Sequence, residues 1–122
     1  MPHRRPTIFI IDDDTSVRRA LGRVMTSAGL DHQAYDCAED FLNEAPQTSV
    51  GCIVADMTLP GLSGLETFAA LRELDPSAKI ILSSGYSKAE SLEKLENSKP
   101  TGFLPKPYRL QTILHLVAEH LA

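Results

Sequence analysis

The chain has 122 residues and 43% hydrophobic content, enough for one core without a disulfide or metal clip. Its formal net charge of −4 argues against gripping nucleic acid through phosphate neutralisation. No apolar run approaches the roughly 20 residues of a membrane span, and the two cysteines, Cys37 and Cys52, have neither disulfide-framework nor zinc spacing. The basic run His3-Arg4-Arg5 reads as a solvated terminus. MPHRRPT passes straight into IFII, too short for a signal core, so a soluble cytoplasmic protein with one domain over residues 1–122 is expected.

In chain order, the apolar run Thr7–Ile11 reads as a first strand and is followed by Asp12, Asp13 and Asp14. Val17, Ala20, Leu21, Val24, Met25 and Ala28 then keep the spacing of one buried helix face, with Thr15 as N-cap and Gly29 as stop. Asp31–Tyr35 is a second, weaker strand. After a helical stretch, Gly51–Ala55 is the third, with Cys52 as core filling and Asp56 at its end. Ser63 and Glu66 form a capping box ahead of Phe68 and Leu71, and Pro76 stops that helix. Lys79–Ser83 is the fourth strand, with Ser84 next. A second capping box, Ser87 with Glu90, opens a helix whose only apolar anchors are Ala89, Leu92 and Leu95. It is expected to be the least firmly packed and the readiest to move. Thr101–Leu104 is a weak fifth strand, followed by Pro105-Lys106-Pro107. Leu110, Ile113, Leu114, Val117 and Leu121 mark the last helix.

Strands alternating with helices imply right-handed βαβ units and an α/β fold. The expected form is a flavodoxin-like, doubly wound sheet of five parallel strands in order 2-1-3-4-5 with five helices. Ligands of such sheets bind at the carboxyl ends of the strands, near the switch point. That order gathers Asp12, Asp13 and Asp56 into one cleft, with Ser84 and Lys106 across from them. Two unit charges about 4 Å apart repel by about 4 kcal/mol at an effective dielectric of about 20. Such a cluster makes sense around a divalent cation with oxygen ligands, for which Mg²⁺ (or Mn²⁺) is suited, bridging to phosphate. Lys106 and Ser84 supply the charge and hydroxyl a phosphate needs, and one carboxylate can attack phosphorus. Asp14 reads as a solvated or capping acid. Ser83 and Ser84 alternate, so only one faces the cleft. His3, His32, His115 and His120 have no ligand spacing.

The segments IFIIDDDTSVRRAL, IVADMTLPGLSGLE, IILSSGY and GFLPKPY, in this order and after these strands, resemble response-regulator receiver domains of two-component signalling over essentially the whole chain. The details of LSGLE and the first helix are most similar to receivers of the nitrogen-fixation regulator type. The resemblance implies Asp56 as phospho-acceptor, Asp13 as direct metal ligand, Asp12 as a second acid acting through water, and the Thr58 carbonyl as a third metal contact. It implies Ser84 as the hydroxyl on the phosphoryl group, Lys106 as the signature lysine, a cis bond before Pro107, Gly64 as the turn glycine and Phe103 as a switch aromatic. Phe103 is equally readable as core. Ser84 departs from the commoner threonine by lacking the methyl, Pro105 stiffens the lysine loop, and Thr58 and Tyr86 border the phosphoryl group. Bulky Tyr86 is expected to limit water and prolong the phosphorylated state.

The resemblance further implies a sensor histidine kinase or phosphotransfer protein as partner. It also implies a switched surface of fourth helix, fifth strand and fifth helix, with homodimerisation through that surface. Two other functions compete. A haloacid-dehalogenase-like phosphatase would use Asp12 as nucleophile, but no aspartate follows Asp75 and there is no room for a substrate cap. A pseudo-receiver would use the same fold only for binding. A Rossmann cofactor domain is excluded by the absence of a glycine-rich loop after the first strand.

Overall fold

The computed structural model describes residues 7–44, 50–57, 64–74, 79–85, 87–95 and 100–121. Five strands and five helices alternate: β1 (Thr7–Ile11), α1 (Thr15–Ser27), β2 (His32–Tyr35), α2 (Ala38–Glu44), β3 (Val50–Asp56), α3 (Gly64–Leu74), β4 (Lys79–Ser84), α4 (Lys88–Lys94), β5 (Gly102–Pro105) and α5 (Leu110–Leu121). The strands form one parallel sheet in the expected order, β2-β1-β3-β4-β5.

The unbroken apolar runs of β1 and β4 follow from cover on both faces. On one face Phe9, Ile11, Ile53, Ile80 and Leu82 meet Ala38 and Phe41 of α2, Phe68 and Leu71 of α3, and Leu95 just beyond α4. On the other, Ile8, Ile10, Val54 and Ile81 meet Leu21 and Met25 of α1 and Ile113 and Val117 of α5. The side chains change face at every residue, as a strand dictates. Cys52 belongs to the second cluster, and burial pushes its thiol up to about 12.

Helix α1 is closed at both ends. Its N-cap is Asp14, one residue earlier than Thr15. The Asp14 carboxylate accepts the Ser16 and Val17 N–H groups at 2.8 and 3.3 Å. Asp14 and Thr15 are both capping residue types, and the acid also suits the positive end of the helix dipole. At the far end Gly29, at φ 74°, donates to the Thr26 carbonyl and Leu30 to that of Met25, a Schellman closure. Within the helix, Gly22 is buried against His32 of β2. A Cβ at position 22 would lie 2.9 Å from the imidazole Nε2.

Three expected helix faces differ from those observed. In α1, Ala28 is exposed, because it is the C-cap beyond the last helical turn. In α4 the buried residues are Ser91 and, at the C-cap, Leu95, while Leu92 is half-buried and Ala89 is exposed. Ser87 is the N-cap, its hydroxyl accepting from the Glu90 N–H at 3.2 Å and donating to Glu90 Oε1 at 2.9 Å; the expected capping box is thus shown in its serine half. In α5 Ile113 and Val117 are buried, but Leu110 is 40% exposed because it begins the helix at the rim of the sheet. Ser63 and Pro76 lie outside the described residues.

Candidate functional site

The carboxyl ends of β1, β3 and β5 bring the acidic and cationic side chains together, and β4, between β3 and β5, ends on Ser83 and Ser84. Asp12 and Asp56 are each only 3% exposed, and Asp13 beside them is exposed. Carboxylate oxygens of all three lie within 4.8 Å of one another. Lys106, following β5, places Nζ 2.8 Å from Asp56 Oδ2 and 3.6 Å from Asp12 Oδ2. The residue is held there through its main chain, whose N–H donates to the Ser84 carbonyl. The Lys106–Pro107 peptide bond is cis, as expected.

Burial is the main force raising the Asp12 carboxyl above its ordinary value, and Asp56 and Asp13 add to it. The Asp14 N–H, donating to Asp12 Oδ1 at 2.9 Å, and the Lys106 charge work in the opposite direction. For Lys106, burial disfavours the charge, but the Asp56 hydrogen bond and the Asp12 and Asp56 charges outweigh it and raise the ammonium. The cluster therefore carries more negative charge than one lysine neutralises. An all-oxygen donor set with two buried carboxylates suits a hard divalent cation such as Mg²⁺.

Both serines at the end of β4 are buried. Ser83 pairs in register with Asp56, and Ser84 with Pro105 one step farther along. By strand alternation Ser84 shares the face of Ile80 and Leu82, against whose cluster the half-buried Phe103 packs. Asp14 caps α1 and does not belong to the carboxylate cluster. Gly64 is the first residue of α3. Thr58 and Tyr86 lie outside the described residues.

Two residues at the site escaped the sequence reading. Arg18 donates from Nη1 to the Asp12 carbonyl at 2.7 Å and from Nη2 to Thr15 Oγ1 at 3.1 Å, tying the acidic loop to the first turn of α1. Its signal was position, one turn into the helix that follows the aspartates. Tyr108 packs, partly buried, against the α1–α5 cluster. With Lys106, Pro107, Val17, Ala20 and Leu110 it lines a groove of about 550 Å³ beside the acids. Its phenol is raised mainly by burial and then by the Asp12 charge.

A family model described as the response regulator receiver domain matches residues 8–118. Among curated proteins, the response regulator protein TodT of Pseudomonas putida is 32% identical over 93% of this chain and 50% of its own length. The transcriptional regulatory protein TdiR of Thauera aromatica is 35% identical over 95% and 51%, and FixJ of Bradyrhizobium diazoefficiens 31% over 83% and 49%. The chain thus spans about half the length of these curated relatives. Among solved structures, a CheY-like receiver domain protein from Methanospirillum hungatei superposes with a TM-score of 0.86 at 23% identity, covering 97% of this chain and 94% of its own. The response regulator StyR superposes at 0.80 with 31% identity, over 97% and 60%.

Proposed function

The chain belongs to the response regulator receiver domain family of two-component signalling, and from that premise we propose that it accepts a phosphoryl group on Asp56. The observation that carries this reading is the 2.8 Å contact between Lys106 Nζ and a buried Asp56 carboxylate, with Asp12 and Asp13 alongside. A cation over the acceptor oxygen is poised to follow the charge onto a phosphoryl group. Asp13, Asp12, Asp56 and the main-chain carbonyl of Thr58 would hold Mg²⁺ (or Mn²⁺), which when bound supplies the positive charge the carboxylate cluster lacks.

One Asp56 carboxylate oxygen attacks phosphorus in line. The O–P bond forms as the P–N bond of a partner's phosphohistidine breaks, and the released imidazole takes up a proton. Lys106 pairs with the incoming phosphoryl oxygens, and Ser84 supplies a hydroxyl. Movement of Ser84 then draws on the face it shares with Phe103, shifting the α4–β5–α5 surface between two populations. The donor is a sensor histidine kinase or a phosphotransfer protein. The readout is an output domain, a partner or a homodimer through that surface. Thr58 and Tyr86 set the lifetime of the phosphorylated state. Residues 1–122 act as a single receiver domain, and the setting is the cytoplasm. No helix among the described residues is long and apolar enough to cross a membrane.

The test is incubation with acetyl phosphate and Mg²⁺, followed by mapping of the labelled residue. Label on Asp56, lost in Asp56→Asn and on chelation of the metal, is expected. Label on Asp12 with turnover of external phosphate esters would instead establish the phosphatase, and neither label nor Mg²⁺ binding the pseudo-receiver; the family match favours neither. A companion measurement concerns Asp12→Asn. The folded Asp12 carboxyl titrates above 3.8, its ordinary value, so the native state holds that proton more tightly than the unfolded chain does. Stability therefore falls as pH rises through that window. At neutral pH and without metal the Asp12→Asn protein is expected to melt at a higher temperature than the parent, while losing Mg²⁺ binding by calorimetry.

A further inference from the structure

On the side of α1 away from the groove beside Lys106, the helix and the edge strand β2 enclose a second, open trough of about 830 Å³. It is lined by Arg18, Arg19, Arg23 and Thr26 of α1 and by His32 and Ala34 of β2. Helix α1 carries these three arginines and no acidic residue, in a chain of net charge −4. Arg18 is engaged with the Asp12 carbonyl. Arg19 and Arg23 are exposed, and among the described residues neither makes a hydrogen bond or an ion pair. As an i, i+4 pair of like charges they destabilise the isolated helix. A purely solvated face would commonly relieve that with an interleaved acid.

The strand below offers a second means of recognition. β2 is the edge of the sheet, paired only with β1 among the described strands. The Asp31 and Tyr35 carbonyls point inward, accepting from Ile8 and Asp12. By strand alternation the main-chain groups of His32 and Ala34 point to the open edge. An added extended segment places alternate side chains about 6.6 Å apart. Arg19 and Arg23 are separated by four residues, about 6 Å along the helix. Two carboxylates at alternate positions of such a segment match the two guanidinium groups in spacing and charge, and arginine accepts carboxylates in two-pronged geometry.

We propose that the α1–β2 face docks an acidic, extended segment of a partner protein, added beside β2 with alternate carboxylates on Arg19 and Arg23. A nucleic acid fits less well. Its phosphates can accept from the edge N–H groups but offer no donors to the edge carbonyls, and the trough runs at its Thr15 and Arg18 end toward the carboxylates of Asp12, Asp13 and Asp56, which repel a continuous polyanion.

The test uses the whole chain and a fluorescein-labelled peptide of alternating glutamate and threonine, read by fluorescence anisotropy at low salt. The parent is expected to bind it, and Arg19→Glu with Arg23→Glu to weaken binding by about tenfold or more, as loss of charge-assisted bonds predicts. The neutral pair Arg19→Gln and Arg23→Gln, which keeps good helix formers, is expected to weaken it in the same direction. Labelling of Asp56 by acetyl phosphate stays unchanged in both variants, which separates this proposal from the phospho-acceptor reading. Equal peptide binding by parent and variants, no binding by the parent, or tighter binding of a single-stranded oligonucleotide than of the peptide would each overturn it.

Discussion

Helices α1 and α4 flank the same sheet on opposite faces, and they are secured in opposite ways. α1 has thirteen residues, a carboxylate cap, a glycine closure, Leu21 and Met25 fully in the core, and Arg18 reaching back to the acidic loop. α4 has seven residues. It is well capped at Ser87, but its inward residue is Ser91, whose buried hydroxyl finds no partner among the described residues. The difference teaches where this fold keeps rigidity and where it keeps freedom. The carboxylates of β1 need fixed positions to tolerate one another, and α1 supplies them. The shape change proposed for the α4–β5–α5 surface needs a shallow energy well, and a short helix resting on a serine supplies that.

The contrast can be broken from the firm side first. Met25→Ala removes a fully buried side chain from the α1–sheet contact and is expected to cost about 2–5 kcal/mol, read as a fall in the chemical denaturation midpoint. Asp14→Ala leaves two N–H groups of α1 without their acceptor and is expected to cost about 1 kcal/mol in the same assay. The loose side should answer with the opposite sign. Ser91→Ala deletes an unpartnered buried hydroxyl and improves helix propensity, for an expected gain of up to about 1 kcal/mol. Amide hydrogen exchange should slow across α4 and leave α1 unchanged. If Ser91→Ala destabilises the protein, the serine is a structural anchor and the contrast between the two helices fails.

What the sequence made readable follows the same division. The runs Phe9-Ile10-Ile11 and Ile80-Ile81-Leu82 announce central strands because cover on both faces leaves no polar position in them. The strand ends then locate Asp12, Asp56 and Lys106 without side-chain detail. Hydrophobic period fails where a buried residue is polar. Ser91 is invisible to it, and Ala89 reads as an anchor although it is exposed. It also overreaches at a helix end, as at Leu110, because periodicity carries no information about where the sheet stops. Contacts between residues distant in sequence, such as Gly22 against His32, leave no local pattern. Arg18 hydrogen-bonds to a main-chain carbonyl, an acceptor that every residue offers alike.

The spacing between α1 and β2 is set by an atom that is absent, the Cβ at position 22. A helix-interior glycine sacrifices about 1 kcal/mol against alanine, so replacing it would ordinarily strengthen α1. Here the gain is conditional on the imidazole of His32 swinging aside, which changes the lining of the arginine trough. Substitutions at positions 22 and 32 are therefore expected to be coupled. A substitution at either is neutral, harmful or beneficial according to what stands at the other, and in diverging sequences a side chain gained in the helix is expected to travel with a smaller residue on the edge strand.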